Sequence, residues 1–136
     1  MINRIFRIID ANANRLREAL RVCEDIARFI LSDKKRTRKF KLLRHRVFLI
    51  IKKFDDNGKI LAKFREPEKD IGKKTIKSET KRRDVADIFK ANIKRAEESL
   101  RVLEEFSKLL KPRYSDSFKA IRFDLYSLEK NIVKRL

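Results

Sequence analysis

The chain repeats itself. Residues 11–30 align with residues 91–110 at eight identical positions of twenty: Ala11/Ala91, Asn12/Asn92, Arg15/Arg95, Glu18/Glu98, Leu20/Leu100, Arg21/Arg101, Val22/Val102 and Glu24/Glu104. A second segment follows each copy, Phe40-Lys41-Leu42-Leu43-Arg44 against Phe118-Lys119-Ala120-Ile121-Arg122. Both copies carry apolar residues at helical spacing, with Ile5, Ile9, Leu16, Leu20, Cys23, Ala27 and Ile30 in the first and Val85, Phe89, Ala96, Leu100, Leu103 and Leu110 in the second. The repeated unit is therefore a helical hairpin. Two of them, each burying one face against the other, predict an all-α four-helix bundle with an approximate internal two-fold. The pattern predicts helices over 3–31, 34–54, 81–110 and 115–134. In this single domain of residues 1–136, hairpin 2–54 and hairpin 81–136 flank a loop over 55–80.

Composition narrows the function. With two glycines, Gly58 and Gly72, neither GxxxxGK[ST] nor GxGxxG can be assembled. One cysteine excludes an intrachain disulfide and every Cys-rich zinc site, and one histidine excludes a His-rich metal site. Cys23 repeats as Leu103, so it reads as core filler, and His45 falls on an outer helix face. The longest apolar run, Val47–Ile51, is far short of a membrane span, and no signal-peptide pattern opens the chain. A cytoplasmic protein without membrane association is expected.

Charge is uneven. The net +18 divides into +2 over residues 1–31, +13 over 32–83 and +3 over 84–136. Such a field attracts anions. A nucleic-acid-binding domain is one reading of it, although the chain shows no helix-turn-helix spacing, zinc finger or aromatic platform. The stretch from Gly58 to about Thr80 has no persistent period, and such loops are often functional. It is expected to be mobile and to border any ligand site.

Five of the eight repeated identities are polar. Surface changes typically cost within about ±0.5 kcal/mol, so unconstrained polar positions should have drifted apart. The competing explanation is helix salt bridges such as Arg15–Glu18 and Arg21–Glu24. At 100° per residue Asn12 falls inside the apolar stripe, and Asn92 does the same, so both are expected to be largely buried. Such an amide either fixes helix register or reads a ligand's edge. Arg44 and Arg122 lie beside their apolar seams and need an anion, either a carboxylate such as Glu18 or Glu98 or a phosphate.

The runs Asp10-Ala-Asn-Ala-Asn-Arg-Leu-Arg-Glu-Ala-Leu-Arg-Val-Cys-Glu-Asp25, Leu43-Arg44-His45-Arg46, Asp70-Ile71-Gly72 and Ala91 to Glu105 resemble one family. It is the helical domain found N-terminal to thiamine-phosphate synthase in some bacteria, a proposed alternative hydroxymethylpyrimidine-phosphate kinase. The synthase barrel is absent from the sequence, and Lys73 stands where the family usually has threonine.

The resemblance implies a thiamine-biosynthesis protein that phosphorylates or binds a phosphorylated pyrimidine, using Mg²⁺ and ATP if it is a kinase. It leaves open a non-enzymatic module docking on thiamine-phosphate synthase, and a homodimer is compatible with it. Phosphoryl transfer onto a phosphate needs cations and metal-holding carboxylates rather than a strong base. The expected catalytic residues are Glu18, Glu98 and Asp70. Asn12, Arg15, Asn92, Arg95 and Gly72 are expected to bind substrate, with Arg21 and Arg101 ranked after them, and Glu24 and Glu104 to hold metal. Positions 12, 15 and 18 step across the edge of the apolar stripe, as do 92, 95 and 98, so the site is expected where the first and third helices meet.

Overall fold

The computed structural model describes residues 1–77 and 80–136, with Asn57 described by its backbone alone; Ser78 and Glu79 of the expected loop lie outside the described residues. Four helices carry the fold: α1 (Ile2–Asp25), α2 (Lys34–Phe54), α3 (Val85–Leu110) and α4 (Ser115–Val133). Among the described residues there is no β-strand, and no helix is long and apolar enough to cross a membrane. The chain is all-helical.

α1 and α3 form the central pair, packed along their lengths, with α2 beside α1 and α4 beside α3. Small residues at Ala13, Ala19, Ala96 and Ser99 are buried, which lets helices approach closely while Leu16, Leu20, Ile93 and Leu100 fill the space around them. Phe40 and Val47 of α2, with Phe118, Ile121, Leu125 and Ile132 of α4, close the two sides. Each such side chain contributes about 1.5–3 kcal/mol on leaving water. Cys23 is fully buried among them, as its repeat position suggests, and His45 is exposed on the outer helix face.

The starts of α2 and α3 follow their caps, and two helix bounds depart from the sequence reading. Asp33 caps α2, accepting from the Arg36 amide, and Asp84 caps α3, accepting from the Asp87 amide. The third helix thus begins at Val85 and not at residue 81. Lys81, Arg82 and Arg83 would bring positive charge to a positive helix end; Thr80 instead donates its hydroxyl to the Lys77 carbonyl at 2.8 Å, and Asp84 supplies the cap. The first helix does not run as α-helix to residue 31. It ends in a π turn over Ile26–Ile30, where the Leu31 amide donates to the Ile26 carbonyl five residues back. The wider turn rotates the last residues off the core face, and Ile30, expected inside, is 58% exposed. Lys111-Pro112 ends α3, and α4 begins after one 3₁₀ turn.

The first part of the loop folds back on α1. Asp55 accepts from the amides of Ile60 and Leu61, Leu61 is buried, and the Phe64 ring stacks on Phe6 with centroids 5.7 Å apart. The reversal leading into it uses Gly58 at φ +85°, a conformation only glycine adopts without strain.

Candidate functional site

A groove of about 510 Å³ opens between the first half of α1 and the returning loop. α1 supplies Arg4, Arg7, Asp10, Asn12, Asn14 and Arg15, while the loop supplies Arg65, Glu66, Pro67 and Asp70. The volume is within the usual range for small-molecule sites. Three of the predicted site residues, Asn12, Arg15 and Asp70, come together here.

Asp10 is the fixed point of the groove. Its buried carboxylate accepts a bidentate pair from Arg65, Nε and Nη2 both at 2.7 Å, and a longer bond from Asn14 Nδ2 at 3.4 Å. The hydrogen bonds and charge of Asp10 raise the pKa of Arg65 above its ordinary value. This fork joins loop to helix, so Arg65 is held rather than free. Glu66 pairs with Lys69 at 3.0 Å, and that hydrogen bond holds its pKa below the ordinary value, with a smaller contribution from the charge of Arg7. By contrast, none of Arg4, Arg7 and Arg15 forms an ion pair with a described carboxylate. Three guanidinium groups without an ion-pair partner among the described residues, on one small groove, make it an anion-receiving surface.

Asn12 is 6% exposed, and its Nδ2 donates to the Ile8 carbonyl at 2.9 Å. That bond satisfies one N–H and leaves the carbonyl oxygen without a described donor. Asn92 makes the same bond to the Ile88 carbonyl, at 2.8 Å, but is only partly buried and does not line the groove. Asp70 is exposed, and its Oδ1 accepts from the Gly72 amide at 2.9 Å, an Asx turn that orients the carboxylate.

The other predicted residues lie elsewhere. Glu24 is buried and accepts from Arg44 Nε at 2.5 Å, with Arg21 at 3.6 Å. Glu104 is likewise buried and accepts from Arg122 Nη2 at 2.9 Å, with Arg101 at 3.3 Å. The anions beside Arg44 and Arg122 are therefore Glu24 and Glu104, not Glu18 and Glu98. Because each glutamate lies against the neighbouring helix, these are two matching clamps between the helices of each hairpin. Among the described residues no group of three or more His, Cys, Asp or Glu is placed to hold a metal ion. Glu18, Arg95 and Glu98 are exposed, line no part of the groove and form no ion pair with a described residue.

Three charged residues carry a weak sequence signal, two of them in the groove. Asp10 opens the α1 run but has Lys90 as its repeat counterpart, and Arg65 sits in the loop, so comparison of the two copies singles out neither. Glu97 is the third. It is buried on α3 at 4% exposure, near Glu129, with Lys94 Nζ 3.3 Å from its Oε1 and 3.2 Å from Glu129 Oε1. Burial pushes its pKa up to about 7, the adjacent Glu129 adds to the rise, and Lys94 opposes it. Burial likewise pushes the Cys23 thiol up to about 12, with Glu129 and Glu97 adding to it, so this cysteine stays protonated and unreactive.

The sequence model of the ThiD2 family matches residues 7–131. The chain is 38% identical over 130 residues to a thiamine-phosphate synthase of Synechocystis, covering 95% of this chain and 36% of the relative. Identity to the thiamine-phosphate synthase of Nostoc punctiforme is 33% over 138 residues, covering 95% and 35%. To that of Rhodopirellula baltica it is 34% over 124 residues, covering 90% and 32%. The chain spans about a third of the length of these curated relatives. No solved structure matches it.

Proposed function

The chain belongs to the ThiD2 family, and from that premise we propose that it acts in thiamine biosynthesis, in the cytoplasm, by binding a phosphorylated pyrimidine in the α1 groove. The observation that carries this reading is the set Arg4, Arg7 and Arg15, paired with no described carboxylate, beside the half-satisfied amide of Asn12. Guanidinium groups suit a phosphate bidentately, and an amide offers both a donor and an acceptor to a pyrimidine edge. Within this reading the ligand is hydroxymethylpyrimidine phosphate, and the reaction moves the γ-phosphoryl of ATP onto a phosphate oxygen, giving a diphosphate and ADP. The acceptor is already ionised, so no strong base is required and the arginines serve to stabilise the transferring charge. Asp70 is the residue of this chain suited to a Mg²⁺ ion arriving with the phosphates, which would neutralise charge on them. Glu24 and Glu104, committed to arginines, do not fit that task.

Calorimetry with hydroxymethylpyrimidine phosphate tests binding, and phosphorus NMR with added ATP and Mg²⁺ tests transfer. Arg15→Ala, on an exposed position outside the core, should keep the melting temperature and weaken binding at least ten-fold. Unchanged affinity in folded Arg15→Ala excludes the groove. Binding without diphosphate formation excludes the kinase step alone.

A second reading has a separate support. The relatives carry this region as a third of a longer chain named thiamine-phosphate synthase, so a module that docks on such a synthase is the alternative, tested by co-purification. We also propose that the hairpins are related by an approximate two-fold. Arg46 and Asp124, equivalent positions of α2 and α4, pair with each other at 2.6 Å, as residues at an axis would. The grooves on either side of this bridge are lined by equivalent positions, Lys39, Leu42 and Leu43 on one and Ser117, Ala120 and Ile121 on the other.

A further inference from the structure

The +13 charge of the middle segment is divided between two ends of the first hairpin. Part of it lies on the loop that returns to the groove already described. Another part collects roughly 25 Å away along α1, at the turn into α2. There Arg28, Ser32, Lys34, Thr37, Arg38 and Lys41 line a second groove of about 460 Å³.

None of its four cations forms an ion pair with a described carboxylate. The acid adjacent in sequence, Asp33, is already saturated. Its Oδ1 accepts from the Arg36 amide, and its Oδ2 accepts from the guanidinium groups of Arg36 and Arg135, each at 2.5 Å. Burial opposes ionisation of Asp33, but these bonds outweigh it and hold its pKa below the ordinary value, so it stays charged and occupied. The π turn places Arg28 on the other wall, where its guanidinium lies 4.7 Å over the exposed Phe29 ring. The Ser32 hydroxyl has no described partner.

We propose that this groove is a second anion site, selective for a chain of linked phosphates over a single phosphate. The selectivity comes from the spread of the charges. Lys34, Arg38 and Lys41 follow the i, i+4, i+7 spacing of one helix face. They therefore extend over roughly 10 Å, more than one phosphate spans. Arg28 adds a fourth contact across the groove. The ligand class is an oligophosphate, free or carried on a nucleotide. The site is independent of the pyrimidine groove.

The test is an amide NMR titration of the full chain at about 150 mM salt, near physiological ionic strength, with sodium tripolyphosphate, sodium orthophosphate and phosphatidylglycerol vesicles as probes. Tripolyphosphate should shift the Ser32 and Thr37 amides saturably, at least ten-fold more tightly than orthophosphate. Arg28→Ala with Arg38→Ala should weaken this at least ten-fold with the remaining spectrum unchanged. Lys73→Ala with Lys74→Ala, which removes the same charge elsewhere, should change it less than two-fold. Equal losses in the two double variants, equal affinity for the two phosphates, or unmoved Ser32 and Thr37 amides would overturn the proposal. So would vesicle binding without tripolyphosphate binding, which would make a lipid headgroup the phosphate source.

Discussion

The two hairpins share a pattern but not its uses. The Arg44–Glu24 clamp of the first matches Arg122–Glu104 of the second, and Asn12 and Asn92 bond the same backward carbonyl. The Asp10–Arg65 pair that builds the groove has no such twin among the described residues. The groove depends on Asp10 and Arg65, whereas Lys90 replaces Asp10 in the second copy and is exposed. The second hairpin has its own asymmetry, since Glu97 is buried beside Glu129 where the first copy has exposed Arg17. Of the polar residues kept in both halves, Glu24 and Glu104 hold helices together, while Arg15 lines the groove and Glu18, Arg95 and Glu98 form no ion pair with a described residue. Polar residues present in one half build what is specific to it.

The comparison breaks most readily at the clamps. Removing one partner of a buried pair strands the other, at a cost of about 3–5 kcal/mol when both are fully buried. Arg122 is 14% exposed in its side chain and Arg44 23%, so Glu104→Ala should cost about 2–4 kcal/mol in urea unfolding and Glu24→Ala slightly less. If either is neutral, that clamp is not structural and its glutamate becomes free for ligand chemistry.

Glu97 should give the next largest effect, and only through pH. An acid whose folded pKa is raised stabilises fully below its unfolded value near 4.5 and loses that contribution as pH climbs through about 7. Stability should therefore fall by about 1–3 kcal/mol across that window in the native chain and not in Glu97→Gln. Equal pH dependence of the two proteins in thermal melts would show that Glu97 ionises normally.

Arg65→Ala sharpens the contrast between halves. It leaves the buried Asp10 carboxylate with only Asn14, and since Arg65 is half exposed the stability loss should be about 1–2 kcal/mol. Affinity for the pyrimidine phosphate should drop with it. The counterpart change Lys90→Ala should stay within about 0.5 kcal/mol. Similar losses at both positions would mean the groove is not peculiar to the first hairpin.

Periodicity makes the helices legible, because apolar residues at 3.6 spacing leave little freedom about which face turns inward. The ends of α2 are legible too, since Asp33 is a strong cap and Asp55 follows its last apolar residue. The π turn is not. Its effect is an added residue per turn, which the angular bookkeeping behind Ile30 cannot contain. At the site, Asn12 and Arg15 stand out because both copies keep them, and Asp70 because it opens the Asp70-Ile71-Gly72 run. Asp10 and Arg65 do not, because their meeting depends on how a loop without period folds back over α1. Repetition also favours the wrong partners for Arg44 and Arg122, because Glu18, Glu24 and their copies are equally repeated and only packing separates them.

The pairing of α1 with α3 has a consequence for how the protein is made. The main neighbour of α1 is not α2, which follows it directly, but α3, which ends at Leu110. At elongation rates of about 5–20 residues per second, the face of α1 that α3 will cover waits several seconds on the ribosome. Proteolysis of stalled nascent chains should cut α1 until α3 has emerged. Through that interval the first half has only α2, the returning loop and the surrounding positive charge to keep it from associating with other apolar surfaces.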